Sequence, residues 1–116
     1  MYNCTVLKIY VVSLHVPRNI KFYLKYCTLY CLVCLDKENG IETRMANRED
    51  HLKYVVETDV VKYAGPFLSE NEDMIGSLIV IDVEDRAEAE KWSENDPYKK
   101  ADLFQRTEIF KFKHLL

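Results

Sequence analysis

Arg44, Arg48 and His51 stand at i, i+4 and i+7 in the stretch IETRMANREDHLKYVVE, residues 41–57. On a helix turning 100° per residue, these three side chains fall within about 60° of one another. They border an apolar stripe and do not point straight away from it. Arg presents a planar fork of donors that matches a carboxylate. His changes charge near neutral pH and can pass a proton. Together the three could hold a small anion and move a proton on it. The competing reading is a solvated helix edge whose arginines pair with Glu42, Glu49 or Asp50, and spacing alone favours it. Asp96 is the next candidate, although an Asp before Pro97 at a helix start is also good capping chemistry. Gly65-Pro66 reads equally well as a strand exit and Gly76-Ser77 as a strand entry. Trp92 and Tyr98 read as core, and His15 and His114 as incidental.

A second cluster looks more dramatic. Cys27-x3-Cys31-x2-Cys34 has the thiol spacing that holds an iron–sulfur cluster in radical enzymes using S-adenosylmethionine. Geometry removes it. The run Tyr26–Leu35 is aromatic and aliphatic without a breaker, and its length suits a buried strand. In a strand Cys27 and Cys31 share one face while Cys34 points to the other. Neither a fourth Cys nor a His lies nearby to complete a zinc site. These thiols are expected to be small core residues, with no metal bound. Unpaired thiols in an ordinary core fit a reducing compartment, so a cytoplasmic location is expected.

The elements that must position the helix follow from pattern. A turn at Asp36–Gly40 leads into the helix over 41–57, where Ile41, Met45, Leu52, Val55 and Val56 form the expected core-facing stripe. Val60–Tyr63 starts a second strand that exits at Ala64-Gly65-Pro66. Residues 74–83 form the strongest strand signal, joined to the second by a short hairpin connection. Asp85 with Glu88 three residues on marks the start of a second helix ending at Asn95. Asp96-Pro97 restarts a short helical turn, and Thr107–Leu115 alternates as the last strand. The order β-α-β-β-α-β is the ferredoxin-like α+β pattern, an antiparallel sheet with both helices on one side. The other sheet face stays apolar, and a homodimer pairing sheet to sheet is the expected cover.

Composition bounds the function classes. The 116 residues are 48% hydrophobic and 30% charged, which is globular and suits one domain. No uninterrupted apolar run is long enough to span a membrane. The net charge of −3 is uneven. Residues 1–35 hold Lys8, Arg18, Lys21 and Lys25 and no acid, so the other 12 basic and all 19 acidic residues lie beyond them. No basic face is dense enough for nucleic acid. Residues 1–27 lack the clean apolar core and small-residue cleavage site of a secretory signal. Their lack of acids fits a mitochondrial presequence, but they carry one Arg and one Ser. They are expected to be an extension outside the core fold, with residues 28–116 as the domain.

From about Thr28 onward the chain resembles the YciI-like family, proteins with a YCII-related domain. The residues that carry the resemblance begin with Asp36, Arg44 and Arg48-Glu49-Asp50-His51-Leu52. Ala64-Gly65-Pro66, Gly76-Ser77, Ala87-Glu88-Ala89 and Trp92 follow in order. Asp96-Pro97-Tyr98, Ala101 and Ile109-Phe110-Lys111-Phe112 complete the set. Residues 1–27 have no counterpart in it. The resemblance implies a ferredoxin-like domain that dimerises as an α/β barrel. It also implies an active-site cleft in which a His and an Asp stand together; on this chain those are His51 and Asp96.

Two functions follow. The first is a small cofactor-free lyase or isomerase acting on a small anionic, cyclic acid. His51 would be general acid or base and Asp96 would orient it. Arg44 and Arg48 would hold a carboxylate, while Ser77 and the backbone at Gly65 would serve a developing oxyanion. The second is a binding module that uses the same pocket and catalyses nothing.

Overall fold

Residues 28–115 are described by a computed structural model. The sequence readings that fall on His15, Tyr26 and Cys27 lie outside these residues. Thr28–Asp36 forms β1, and its side chains alternate as its period-two pattern requires. Tyr30, Leu32 and Cys34 join the main core with Ile79 and Ile81. Leu29 and Cys31 lie on the opposite face, in a smaller cluster with Leu78 and Val80. Cys31 and Cys34 therefore stand on opposite sides of the sheet, and both are free thiols.

The chain continues through α1 (Ile41–Thr58), β2 (Val61–Leu68), β3 (Met74–Ile81), α2 (Arg86–Glu94), α3 (Pro97–Lys100) and β4 (Phe104–Lys113). The four strands form one antiparallel sheet in the order β2-β3-β1-β4. Asp59, in a left-handed conformation, ends α1. The side chain of Asp85 accepts from the Glu88 N–H. Glu88 answers to the Glu84 N–H and not to Asp85, so the capping box is displaced by one residue. Two bonds tie α1 to α2: the Tyr54 hydroxyl donates to the Trp92 carbonyl, and the Trp92 indole donates to the Thr58 hydroxyl.

Three sequence expectations are corrected. First, β2 does not exit at Gly65-Pro66 but runs on to Leu68. It is an edge strand, where a proline without an N–H is tolerated. Second, β4 begins at Phe104 and not at Thr107, because a register irregularity at Leu35/Asp36 lets Asp36 pair with the buried Phe104. Third, the apolar stripe of α1 does not face the core. Ile41, Met45, Leu52 and Val56 are exposed, Met45 by 54% and Val56 by 76%, and only Val55 packs against the core. The helix turns Arg44 and His51 inward instead. A wheel gives angles between side chains, not the rotation of the helix on its sheet.

The sheet face away from the helices keeps large apolar side chains in the open, including Tyr63 and Phe110. No helix among the described residues is long and apolar enough to cross a membrane.

Candidate active site

α1 carries Arg44, Arg48 and His51 along the wall of a cleft of about 220 Å3. β2 supplies Ala64, Gly65 and Pro66 to the same cleft, β3 supplies Met74 and Ser77, and α3 supplies Tyr98. Leu52, Val55 and Ile79 give it apolar walls. The fold thus gathers five of the sequence-derived site residues, Arg44, Arg48, His51, Gly65 and Ser77, around one hollow. Asp96, the sixth, stands behind His51.

Each polar group there has a defined partner. His51, 7% exposed, has its Nδ1 2.7 Å from Oδ1 of Asp96. Asp96 is 2% exposed, and the same oxygen accepts the backbone N–H of Tyr98 at 3.0 Å. Asp96 therefore caps α3 and meets the imidazole at once. A carboxylate oxygen has lone pairs for both bonds. His51 Nε2 has no hydrogen-bond partner among the described residues.

Arg44 is 3% exposed, and its partner is none of the acids on its own helix. Its Nε and Nη2 donate to the two oxygens of Asp36, both at 2.8 Å. Nη2 also donates to the Ser77 hydroxyl at 3.0 Å. Burial works against the guanidinium charge, but the Asp36 bonds outweigh it and hold the Arg44 pKa above its ordinary value. The Arg44 charge is thus already matched inside the protein. Arg48 is exposed and forms no ion pair among the described residues, so it is the cation available at the cleft.

Tyr98 is in the core, as the sequence reading has it, but its contacts with the site were not foreseen. Its ring stacks on His51 with centroids 4.0 Å apart and planes at 13°. The Arg44 guanidinium carbon lies 4.8 Å from the same ring centre. Its place in the Asp96-Pro97-Tyr98 triplet was the one available signal. Among the described residues no group of three or more His, Cys, Asp or Glu side chains could hold a metal ion.

The class this fold and site define is a ferredoxin-like α+β domain of the dimeric α/β-barrel type, with a histidine–carboxylate pair at its cleft. The chain belongs to the YCII-related domain family, whose model matches residues 28–113. Among solved structures it is similar to the 5-chloro-2-hydroxyhydroquinone dehydrochlorinase of Burkholderia phenoliruptrix AC1100, solved with 2,5-dihydroxybenzoquinone. That match has 29% identity and a TM-score of 0.68, covering 74% of this chain and 94% of that one. An antibiotic biosynthesis monooxygenase shares the fold at 8% identity and a TM-score of 0.50, with 75% and 97% covered. A Pseudomonas aeruginosa protein does so at 10% and 0.50, with 77% and 94% covered. No curated protein matches the chain by sequence.

Proposed function

We propose that the protein is a small lyase or isomerase that moves a proton on a small, anionic, ring-shaped substrate. The observation that carries this reading is the 2.7 Å contact between His51 Nδ1 and Asp96 Oδ1 at the cleft wall. An ionised Asp96 keeps the imidazole proton on Nδ1 and leaves Nε2 a lone pair with which to take a proton from the ligand. Arg48 holds the substrate's anionic group. Arg44 serves the site less as an anion ligand than as the group that fixes Ser77. The Ser77 hydroxyl accepts from Arg44 and so keeps its own proton to donate. With the backbone at Gly65, it faces the oxygen that gains charge.

Proton removal sends an electron pair into the ring. In a lyase the pair expels an anionic leaving group, and proton and leaving group are both lost from the substrate. In an isomerase the imidazolium returns the proton to another ring atom. The similar dehydrochlorinase acts on a chlorinated hydroxyhydroquinone, a ring of this kind. No step calls on a cofactor. In this reading residues 28–116 are the functional unit and residues 1–27 an extension outside it. A second copy covers the exposed sheet face. The free thiols of Cys31 and Cys34 suit the cytoplasm.

The test is a thermal-shift screen of hydroxybenzoates, hydroxyquinones and halogenated hydroquinones, followed by turnover assays. His51→Ala is expected to lower turnover by about 10²–10⁴-fold, the usual scale for losing a general acid or base. If a ligand binds wild type and His51→Ala alike and neither turns it over, the protein is a binding module using the same cleft.

A further inference from the structure

Resting on the proton-transfer reading above, we propose that the Tyr98 hydroxyl donates a hydrogen bond directly to the substrate. The substrate is then a ring carrying an enolate, phenolate or quinone oxygen that gains negative charge as the proton leaves.

Arg44 and His51 are seven residues apart on α1, about 10.5 Å along its axis. The Tyr98 ring fits into that gap, 4.0 Å from the imidazole centre and 4.8 Å from the guanidinium carbon. Phe104 meets it edge to face at 6.1 Å. Tyr98 is 2% exposed, yet it lines the cleft. With imidazole and guanidinium against the ring, the polar edge is what it can offer a ligand.

The hydroxyl is prepared to give its proton. The Tyr98 hydroxyl has no hydrogen-bond partner among the described residues, Arg44 meeting the ring itself. Among the described residues Thr107 Oγ1 alone is a fully buried side-chain oxygen or nitrogen without a partner, so the unpartnered Tyr98 hydroxyl is not sealed in the interior, and its residue lines the cleft. Burial lifts the phenol pKa above its ordinary value while Arg44 and Arg48 draw it part of the way back, so at neutral pH it remains a donor. Ser77 lines the same cleft, and its hydroxyl accepts from Arg44 and so keeps a proton to donate. Two neutral hydroxyl donors thus stand beside the buried Arg44 at one hollow, an arrangement suited to oxygen that becomes charged during reaction.

Donor and base are also held in register. The Asp96 oxygen that meets His51 accepts the Tyr98 backbone N–H, with Pro97 stiffening the link between them. A cleft of about 220 Å3 is smaller than the roughly 300–1,000 Å3 of drug-sized sites, and fits a single small ring.

The experiment uses the full chain and 2,5-dihydroxybenzoquinone as a coloured probe, followed by absorbance titration. Tyr98→Phe keeps the ring and its stacking, so its Tm is expected to stay within a few degrees of wild type. Its Kd for the probe is expected to rise about 10- to 100-fold, the scale of a hydrogen bond to a charged group. The visible band of the bound probe should move back toward its free position, a change that altered packing alone would not produce. If wild type binds but Tyr98→Phe binds as tightly with the same band, the Tyr98 assignment fails and the cleft reading stands. If wild type does not bind the probe, the proposed substrate class fails. If in addition His51→Ala changes no turnover in the wider screen, the proton-transfer reading fails with it.

Discussion

His51 Nδ1 and Asp96 Oδ1 lie 2.7 Å apart in a buried contact between residues 45 positions apart in the chain. The pairing fixes which imidazole nitrogen holds the proton. Asp96→Asn separates this duty from capping, because Asn is as good an N-cap as Asp. The variant should keep α3 and nearly all stability while losing turnover by about 10²–10⁴-fold. Nitrogen NMR of the imidazole should show Nδ1 protonated at neutral pH in wild type and a changed tautomer balance in the variant. Equal activity in both forms would remove Asp96 from the mechanism.

Arg44 and Arg48 are expected to separate cleanly. Asp36→Ala leaves the buried Arg44 without its counter-charge, since both side chains are 4% exposed. Stranding one partner of a buried pair costs about 3–5 kcal/mol, so chemical denaturation should show a large loss. Arg48→Ala removes an exposed side chain with no ion pair among the described residues and should change stability by no more than about 0.5 kcal/mol. It should nonetheless weaken binding of anionic ligands. The reverse pattern would exchange their roles.

Gly76 and Gly65 face each other's strands but differ in the space around them. A Cβ on Gly76 would stand 2.4 Å from the Cys34 carbonyl oxygen, a backbone atom in the neighbouring strand. A Cβ on Gly65 would meet nothing within 4 Å. Gly76→Ala should therefore cost about 1–3 kcal/mol, as overpacking does. Gly65→Ala should fold as wild type does, and equal urea midpoints for the two variants would contradict this.

Phe110 is 51% exposed on the sheet face away from the helices. If a second copy covers that face, sedimentation should give twice the chain mass at micromolar concentration. Phe110→Glu should then give the single-chain mass with the helical content unchanged. A wild-type monomer under the same conditions would refute the sheet-to-sheet pairing.

Burial pushes the Cys34 thiol up to about 12 from an ordinary 9.0. Burial, with a smaller push from the Asp96 charge, raises Tyr54 to about 12 from 10.0. Both groups keep their protons to higher pH in the fold than in the unfolded chain. Their contribution is complete below about pH 9 and is lost as pH rises toward 12. Urea midpoints should fall across that window. At pH 9 iodoacetamide should label Cys31 well before the buried Cys34 in the single-chain Phe110→Glu variant, where the sheet face is open, as peptide mass spectrometry can read.

Periodicity along the chain set the element order, the alternation that parts Cys31 from Cys34, and the capping role of Asp96. Such features need only backbone geometry and neighbours a few residues away. The resemblance added the association of His51 with Asp96. Spacing put Arg44, Arg48 and His51 on one arc of α1 but could not say which way the arc would turn. Docking decided that: Asp36 and Ser77 on the sheet and Asp96 before α3 offered bonds to Arg44 and His51, and an apolar stripe was left outside. The seating of Tyr98 between imidazole and guanidinium was likewise invisible in one dimension. Buried charge and buried donors are stable only against specific partners, and which partners meet is settled when helix and sheet come together.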